Sequence, residues 1–465
     1  MPSISLVRHR NGANRRHICF VTETYPPEIN GVASTLARLT RGLAARGHIV
    51  SMIRPYQRDV DSIATDPSVT LVRGLPLPGY NRLQFGLPAG GVLKRLWTEQ
   101  RPDVVYVATE GPLGWSAVRT ARRLNIAALS GFHTNYHSYS RHYRLGCLES
   151  LVLRYLRRLH NGTCGTMVPS IDLRNRLQAL GFKNVTFLGR GVDSSLYAPE
   201  RRCTELRRSW GLSDRGLAVL YVGRIAPEKN LPVAVEAYRA MCQVNNAIKF
   251  ILVGDGPLRT SLQKKHPNLI FCGMKAGEAL ARHYASGDIF LFPSETETFG
   301  NVTLEAMASG LAVVAYNYAA AKLHISHGET GLLVPCGDSK AFVNSAARLV
   351  GEARWLYKLR TQARNYAAAL NWSHVIETFE SWLIDALTET HTAVGGIACT
   401  LVSHARRGEV VTDGNGRDVS RMDGRSHVTG LDLDDSVRPE SDKDDLDLSC
   451  TRANTCDITD VVELG

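Results

Sequence analysis

Two glutamates stand eight positions apart in the stretch SETETFGNVTLEAMASG, residues 294–310. Glu297 lies in a loop after the apolar run IFLFPS, and Glu305 lies one turn into a helix predicted to run from Asn301 to Gly310. A carboxylate that accepts the protons of two neighbouring hydroxyls suits a ribose at Glu305 and a second sugar at Glu297. The alternative chemistry is the acid and base pair of a glycosidase, whose two carboxylates must face each other across a bond.

The surroundings of the two glutamates favour a phosphate. The backbone N–H groups of Phe299, Gly300 and Asn301 stand at the start of the predicted helix, where unpaired donors and the helix dipole attract an anion. Arg224 and Lys229 project from one short loop, GRIAPEKN, directly after another predicted strand. An arginine fork and a lysine point charge suit a diphosphate, although a solvated basic loop is the alternative for that pair taken alone. A phosphate site argues against the glycosidase.

The first half of the chain contributes a weaker anion-binding signal. Gly31, in NGVAST, stands just before a predicted helix, where a glycine lets the backbone approach a ligand and free N–H groups favour an anion. A simple turn is the alternative for a single loop glycine. The helix is predicted from apolar residues at helical spacing, namely Val32, Leu36, Leu39 and Leu43.

Strands and helices alternate around these residues. The strand HICFVTE, a Pro and Gly loop, the helix and the strand HIVSMIRP form a βαβ unit, and the same order restarts near residue 217 with LAVLYVGRI. This alternation predicts parallel strands covered by helices. The predicted fold class is therefore α/β with two doubly wound domains, and the cleft beyond the carboxyl ends of their strands is the natural ligand site.

Composition narrows the class of protein. The 465 residues carry a net charge of +11, but residues 391–465 hold 8 basic and 15 acidic residues, whereas residues 1–390 hold 47 and 29. The basic body points to a phosphate-bearing substrate, anionic lipid or nucleic acid, and the acidic stretch lacks hydrophobic periodicity and is predicted to be disordered. The ten cysteines are scattered singly, which predicts reduced thiols in a cytosolic protein. Neither a signal peptide nor a spanning helix of roughly 18 apolar residues is predicted.

In their order along the chain, these stretches resemble the retaining glycosyltransferases of family four (GT4), which have the GT-B fold of two Rossmann-like domains facing a cleft. The most specific element is the E-x7-E motif that Glu297 and Glu305 satisfy. NGVAST, GFHTNYHSY, GRGVD, VGRIAPEKN and VGDGP accompany it, and the resemblance covers about residues 17–388. It implies a hexosyltransferase of the EC 2.4.1 type with a nucleotide-sugar donor.

The resemblance and the element pattern together divide the chain into five predicted segments. These are a flexible N-terminus (1–16), an N-terminal Rossmann-like acceptor domain (17–195), a C-terminal Rossmann-like nucleotide-sugar donor domain (196–370), a C-terminal helix packing back on the N-terminal domain (371–390) and an acidic, disordered tail (391–465). The last helix itself is predicted over residues 372–387.

The resemblance implies a role for each candidate site residue. The residues implied to hold the donor diphosphate are Arg224, Lys229 and the backbone of Gly31, Phe299, Gly300 and Asn301. Glu305 is implied to bind the nucleotide ribose, and the backbone around Met274 is implied to read the base. The two catalytic positions are His133, beside the donor sugar, and Glu297, on the transferred sugar.

The implied mechanism is front-face retention, in which the departing phosphate accepts the proton of the incoming hydroxyl. Cations and the helix N-terminus stabilise the leaving diphosphate, so neither a metal nor another cofactor is expected. His133 and His137 are four positions apart, but the stretch lacks the glutamate of H-E-x-x-H and a third zinc ligand. His137 and His142 are interpreted as packing residues, and a position facing the acceptor is the alternative.

The donor is predicted from a branch within the family. ATEGPLGWSA and GFHTNYHSYSRHYRLG resemble bacterial GDP-mannose-dependent α-mannosyltransferases, a branch close to synthases that attach sugars to diacylglycerol. YAAAKLHI departs from the family, because many members have two glycines followed by Pro-Glu there. The predicted reaction moves mannose from GDP-mannose to a lipid or glycan hydroxyl, and the alternative is a UDP-sugar-dependent diacylglycerol or glycolipid glycosyltransferase.

A helix in ESLVLRYLRRLH bears on the acceptor. Its apolar residues lie along one side (Leu151, Val152, Tyr155, Leu156 and Leu159) and its arginines on another (Arg154, Arg157 and Arg158). Such a helix suits an anionic membrane surface, and an ordinary helix with its apolar side in the core is the alternative. The predicted location is the cytoplasm, with peripheral attachment to the cytoplasmic face of the inner membrane as an option.

Other functions fit the residues less well. A nucleotide-sugar epimerase is disfavoured by the complete E-x7-E motif with its Arg and Lys loop. An inactive nucleotide-sugar-binding protein would be expected to lack one of the site residues. VGDGPLR lacks the third glycine of a dinucleotide-binding G-x-G-x-x-G, and nucleic-acid binding explains the basic charge but not the ordered motifs.

Overall fold

The computed structural model describes residues 15–26, 28, 30–57, 68–76, 84–133, 146–213 and 215–394. These residues belong to one compact unit, residues 1–402. Residues 1–14 of the predicted flexible N-terminus, residues 395–465 of the predicted tail, and His137 and His142 lie outside the described residues.

Seven parallel strands form the first sheet within the described part of the chain. Their bounds are His17–Val21 (β1), Ile49–Pro55 (β2), Val69–Val72 (β3), Val104–Val107 (β6), Ala127–Gly131 (β7), Gly165–Val168 (β8) and Val185–Phe187 (β9), while Gly74–Pro76 (β4) and Gln84–Gly86 (β5) pair as a separate antiparallel ribbon. The strands lie in the order β3-β2-β1-β6-β7-β8-β9. Nearly every residue of β1, β6 and β7 is buried, as is typical of parallel strands covered on both faces.

Helices cover both faces of this sheet. They are Gly31–Ala45 (α1), Gly90–Glu99 (α2), Pro112–Arg123 (α3), Gly146–His160 (α4) and Ile171–Ala179 (α5). Successive residues of a strand point to opposite faces. Accordingly, Ile18 and Phe20 of β1 pack in one cluster with leucines of α1, whereas Cys19 and Val21 pack in another with α2 and α3.

The second sheet repeats this arrangement with six parallel strands in the described residues. Its strands are Leu217–Val222 (β10), Ile248–Val253 (β11), Ile270–Gly273 (β12), Ile289–Phe292 (β13), Ala312–Tyr316 (β14) and Leu332–Val334 (β15), in the order β12-β11-β10-β13-β14-β15. Its helices are Thr204–Ser209 (α6), Leu231–Val244 (α7), Arg259–Lys265 (α8), Gly277–Ala285 (α9), Asn301–Ala308 (α10), Ala319–His324 (α11), Ser339–Gly351 (α12) and Ala353–Ala369 (α13). The α/β fold with two doubly wound sheets, predicted from the sequence, is therefore confirmed.

The last helix, Trp372–Val394 (α14), returns to the first sheet. Its Phe379 is fully buried, and its ring lies edge-on to that of Tyr106 in β6 with 4.9 Å between centroids. The helix extends past residue 387, its predicted end, to Val394. Residues 391–394 of the predicted disordered tail are therefore helical, because the backbone of α14 continues as a helix to Val394.

The chain crosses between the two sheets at two segments that contact each other. The N–H group of Val192 donates to the carbonyl of Leu370 over 2.8 Å. A Cβ atom at Gly191 would lie 2.8 Å from the backbone nitrogen of Trp372, closer than a side chain tolerates. The crossing therefore requires a glycine in the GRGVD stretch. Within the described residues, no helix is both long and apolar enough to cross a membrane.

Candidate active site

Two helix N-termini, one from each sheet, lie next to each other. Helix α1 is capped by Asn30, whose side-chain Oδ1 accepts from the N–H of Ala33 over 2.8 Å. Helix α10 follows Gly300, whose φ of 91° is in the left-handed region that glycine adopts most easily. A Cβ atom at Gly31 would be 3.4 Å from Nδ2 of Asn301, so the first residues of α1 and α10 are direct neighbours.

The N–H groups at these two helix ends are available to a ligand. Among the described residues, none accepts a hydrogen bond from the amides of Gly31, Val32, Gly300 or Asn301. Each helix also contributes a partial positive charge at its first turn. The predicted anion-binding backbone of Gly31 and of residues 299–301 is therefore brought together, and the arrangement suits a phosphate or diphosphate.

Lys229 and Glu297 form an ion pair at the carboxyl ends of neighbouring strands. Lys229 ends a 3-10 turn, Pro227–Lys229, that follows β10, and Glu297 lies in the loop that follows β13. Nζ of Lys229 contacts Oε1 of Glu297, which also accepts from Oγ of Ser294 over 2.8 Å. From the sequence, these two residues are predicted to bind different parts of a donor, and the structure places the two side chains in contact.

Arg224 stands on the same loop as Lys229 and is more exposed. Its Nη1 lies 3.6 Å from Oε1 of Glu228, and its side chain is 42% exposed. The exposure of this guanidinium leaves it accessible to an anionic ligand at the edge of the sheet. The loop is shaped by Asn230, whose φ of 51° turns the chain into helix α7.

Glu305 lies in a pocket of tyrosines on α10. Its Oε2 accepts from the hydroxyl of Tyr284 over 3.0 Å, and Tyr197 also donates to this carboxylate. Burial raises the pKa of Glu305, while the two tyrosine hydroxyls and the charge of Arg38 act in the opposite direction. A carboxylate held in this way has a fixed orientation. Its ionised form can accept hydrogen bonds from two hydroxyl groups.

Sequence reasoning missed the partners of Glu305. Arg38 is on helix α1, seven positions after Gly31, so two turns place it on the same face of that helix. That spacing was a signal for Arg38. It also pairs with Asp193 of the GRGVD crossing, with 3.2 Å between Nη1 and Oδ2. Tyr197 and Tyr284 carried no comparable signal, because each is distant from Glu305 along the chain.

His133 lies just beyond the end of β7 and is buried. Its Nε2 is 3.2 Å from the hydroxyl of Tyr106, and its Nδ1 is 3.2 Å from Nη2 of Arg190. Burial, and then the charge of Arg190, hold the pKa of His133 well below its usual value of 6.5. A Cβ atom at Gly131 would meet the Tyr106 hydroxyl at 2.1 Å, so only glycine allows this group of side chains to form.

Met274 follows β12, the edge strand of the second sheet, and is 51% exposed. Because the strands are parallel, it lies at the same edge as the loops of Arg224 and Glu297. Gly273, with φ of 67°, turns the backbone there and accepts from the N–H of Gly254 over 2.9 Å.

In the part of the chain that the structure describes, no group of three His, Cys, Asp or Glu residues is arranged to hold a metal ion.

Comparisons with known proteins identify the class to which this fold and site belong. A family model described as Glycosyltransferase Family 4 matches residues 29–196, and one described as Glycosyl transferases group 1 matches residues 216–352. A GDP-mannose-dependent alpha-mannosyltransferase of Corynebacterium glutamicum is 32% identical over 336 residues, which are 72% of this chain and 80% of that protein. An alpha-monoglucosyldiacylglycerol synthase of Streptococcus pneumoniae is 27% identical over 308 residues, covering 63% and 70% of the two chains.

The fold has a solved counterpart in a sucrose-phosphate synthase from Thermosynechococcus elongatus. The two structures superimpose with a TM-score of 0.67 at 21% identity, covering 80% of this chain and 100% of the other. Together, these matches define a hexosyl-transferring enzyme with a GT-B fold. The chain belongs to glycosyltransferase family 4. The family, fold class and enzyme class predicted from the sequence are confirmed.

Proposed function

We propose that this glycosyltransferase moves mannose from GDP-mannose, with retention of the anomeric configuration, to a hydroxyl of a lipid or glycan. The observation that carries the proposal is the close approach of the first residues of α1 and α10, which brings N–H donors of two helices, one from each sheet, near one point. The mannosyl donor is supported by the relative from C. glutamicum, which is named for GDP-mannose dependence. A second candidate, a UDP-sugar-dependent glycolipid synthase, is supported by the relative named for a glucosylated diacylglycerol.

Each residue expected to bind the donor has a role in this proposal, and His133 lies beside the donor sugar. The amides of Gly31, Gly300 and Asn301 bind the diphosphate, with Arg224 and Lys229 as its counter-charges. The carboxylate of Glu305 accepts hydrogen bonds from the ribose hydroxyls. The backbone near Met274 reads the base, and the backbone at Phe299 completes the diphosphate site.

The ion pair of Lys229 and Glu297 gives the mechanism a physical basis. When a diphosphate binds, Lys229 can serve two anions at once, because an ammonium has three donors. Glu297 then remains beside the diphosphate, where its carboxylate accepts hydrogen bonds from hydroxyl groups of the transferred sugar. As the glycosidic bond breaks, the negative charge that grows on the leaving diphosphate is stabilised by donors already in place, so we propose that no metal is required.

Ligand-dependent thermal unfolding tests the donor. A ligand present at about 100 times its Kd should raise the free energy of unfolding by roughly 2.7 kcal/mol. GDP and UDP are compared in EDTA and in Mg²⁺, with Lys229→Met as the matched variant. We expect stabilisation by GDP in EDTA, and only about 0.9 kcal/mol of it in the variant, whose Kd for GDP is expected to be roughly 30-fold weaker. Stabilisation by UDP alone would mean that the donor is a UDP-sugar and not GDP-mannose. Stabilisation only in Mg²⁺ would contradict the metal-free mechanism. Stabilisation by neither nucleotide would contradict the proposed nucleotide site.

We also propose that the enzyme works from the cytoplasm at an anionic membrane surface. A cavity of about 310 Å³ between α3 and α4 is lined by Arg122, Arg154, Arg157, Arg158, Asn161 and Gly162, and none of these lining residues is acidic. On the same helix α4, Leu151 is 57% exposed and Val152 is 39% exposed, whereas Leu156 and Leu159 are buried. The helix thus packs by one part of its apolar side and leaves two aliphatic residues beside the arginines, a combination that suits lipid headgroups.

Vesicle sedimentation tests this surface. Wild-type protein is mixed with phosphatidylcholine vesicles with or without phosphatidylglycerol, and compared with an Arg154→Ala/Arg158→Ala variant. A variant that removes two exposed cations from helix α13, Arg354→Ala/Lys358→Ala, is the charge-matched control. We expect only the first variant to lose binding to the anionic vesicles. Equal loss in both variants would indicate general electrostatics, and no binding by the wild type would remove the proposal.

A further inference from the structure

The buried guanidinium of Arg190 lies against the imidazole of His133 and has no part in the roles assigned so far. Nη2 of Arg190 is 3.2 Å from Nδ1 of His133. Arg190 is only 6% exposed, and among the described residues no carboxylate is paired with it. A buried arginine is normally paired, because removing a charge from water is costly. This position therefore calls for an explanation beyond packing.

The chemistry of the two side chains sets the protonation of the ring. A guanidinium only donates hydrogen bonds, so Nδ1 of His133 must be the acceptor and carry no proton. In a neutral imidazole the proton is then on Nε2. Nε2 faces the hydroxyl of Tyr106 at 3.2 Å, and that oxygen can accept from it.

The charges around the ring act in the same direction. Burial lowers the pKa of Arg190 to about 10, so its guanidinium stays charged at neutral pH. Burial of His133, then Arg190 and His160, disfavour a second positive charge on the ring. Burial also raises the pKa of Tyr106, so the phenol stays neutral. These are the titratable groups from the crossing segment, from α4 and from β6 that bear on His133.

We propose that Arg190 is a positioning residue that holds His133 as the neutral Nε2–H tautomer at the end of β7. Arg190 and Gly191 are adjacent in GRGVD, so the segment that crosses between the sheets also orients the ring beside the donor sugar. The link to sugar transfer rests on the proposed function. The tautomer and its dependence on Arg190 do not.

NMR of the protein labelled with ¹⁵N-histidine tests the proposal without any substrate. The signal of His133 is assigned by its absence in His133→Asn. We expect the Nε2–H pattern in the wild type from pH 8 to about 5.5 without titration, and in Arg190→Met an upward shift of the titration midpoint by roughly one unit or more. Arg190→Lys keeps a charged donor and should restore the neutral ring. Tyr106→Phe is the control, because it removes the Nε2 partner but leaves the guanidinium.

Three results would overturn the proposal: an Nδ1–H pattern in the wild type, identical titration in wild type and Arg190→Met, or an equal shift in Tyr106→Phe. If Arg190→Met does not fold, as judged by its thermal unfolding, the wild-type tautomer and the Arg190→Lys titration decide the question. In a transfer assay, Arg190→Met should move the acid limb of kcat/KM to higher pH while GDP still stabilises the protein. If NMR supports the tautomer and this limb does not move, the role of His133 in transfer is wrong and the positioning by Arg190 stands.

Discussion

Gly31 and Asn301 lie opposite each other. Gly31 is the first residue of helix α1, which packs on the first sheet, and Asn301 is the first residue of helix α10, which packs on the second. A Cβ atom at Gly31 would lie 3.4 Å from Nδ2 of Asn301. No described residue accepts from the amides of Gly31 or Asn301. This narrow gap between two positive helix ends is the centre of the proposed diphosphate site.

Filling the gap should abolish nucleotide binding. We expect Gly31→Val to fold with little loss of stability but to lose stabilisation by GDP, because its Cγ atoms enter the space between the helix ends. Thermal unfolding with and without GDP measures this. Gly91→Val is the matched control, since it also places valine near the start of a helix and a Cβ there meets nothing within 4 Å. Full stabilisation of Gly31→Val by GDP would place the diphosphate elsewhere.

Lys229 and Glu297 should separate binding from transfer. Lys229→Met should weaken GDP binding by about 2 kcal/mol, roughly 30-fold in Kd, because it removes a charged donor to the diphosphate. Glu297→Gln should leave the Kd for GDP within a few-fold of the wild type and lower kcat with GDP-mannose by roughly 100-fold or more. Calorimetry with GDP and a GDP-release assay measure the two quantities.

The ion pair between Lys229 and Glu297 also defines the result that would contradict a role of Glu297 in sugar binding. If Glu297 serves only to hold Lys229 in place, Glu297→Gln and Lys229→Met should weaken GDP binding equally. The double variant would then behave like either single variant. That pattern would remove Glu297 from the sugar site.

Glu305 should recognise the ribose hydroxyls. Wild-type protein is expected to bind GDP about 30-fold more tightly than 2′,3′-dideoxy-GDP, a difference of about 2 kcal/mol, and Glu305→Gln should bind both nearly equally. Because burial raises the pKa of Glu305, its preference for GDP should decline as pH falls and the carboxylate takes up a proton. A full preference in Glu305→Gln would contradict the assignment.

His324 should make stability depend on pH. Its ring is buried against that of Phe299, and its Nδ1 forms a hydrogen bond with the Tyr366 hydroxyl over 3.1 Å. Burial lowers the pKa of His324 to about 4. As pH falls below about 6.5, the unfolded chain binds a proton before the folded one, so the free energy of unfolding decreases until pH reaches about 4. We expect this loss to be about 2 kcal/mol by pH 5.

The matched variant for this prediction is His324→Gln, which cannot take up the proton. The difference in free energy of unfolding between wild type and variant, from urea titrations at pH 7 and pH 5, should change by that amount in favour of the variant at the lower pH. An unchanged difference would mean that His324 does not titrate differently in the folded and unfolded states.

Much of the fold and part of the site were predictable because they depend on neighbours in sequence. Gly31 marks one helix start by its position before an apolar periodic run, and Gly300 stands at the predicted start of another, whereas the cap at Asn30 and the left-handed φ of Gly300 came from the structure. The strands were recognised from short apolar runs, because parallel strands with both faces covered are apolar throughout. The lengths of helices were less predictable, as α14 illustrates by continuing past residue 387.

By itself, the sequence determined the two doubly wound sheets and the starts of helices α1 and α10, since hydrophobic periodicity and local backbone geometry set these, and its resemblance to GT4 supplied the residue types of the site. The tertiary structure alone decided which residues meet. Gly31 beside Asn301, Lys229 on Glu297, Tyr284 on Glu305 and Arg190 on His133 are pairs between elements far apart along the chain. Such contacts depend on the packing of whole sheets and on the crossing at Gly191, which no local pattern encodes.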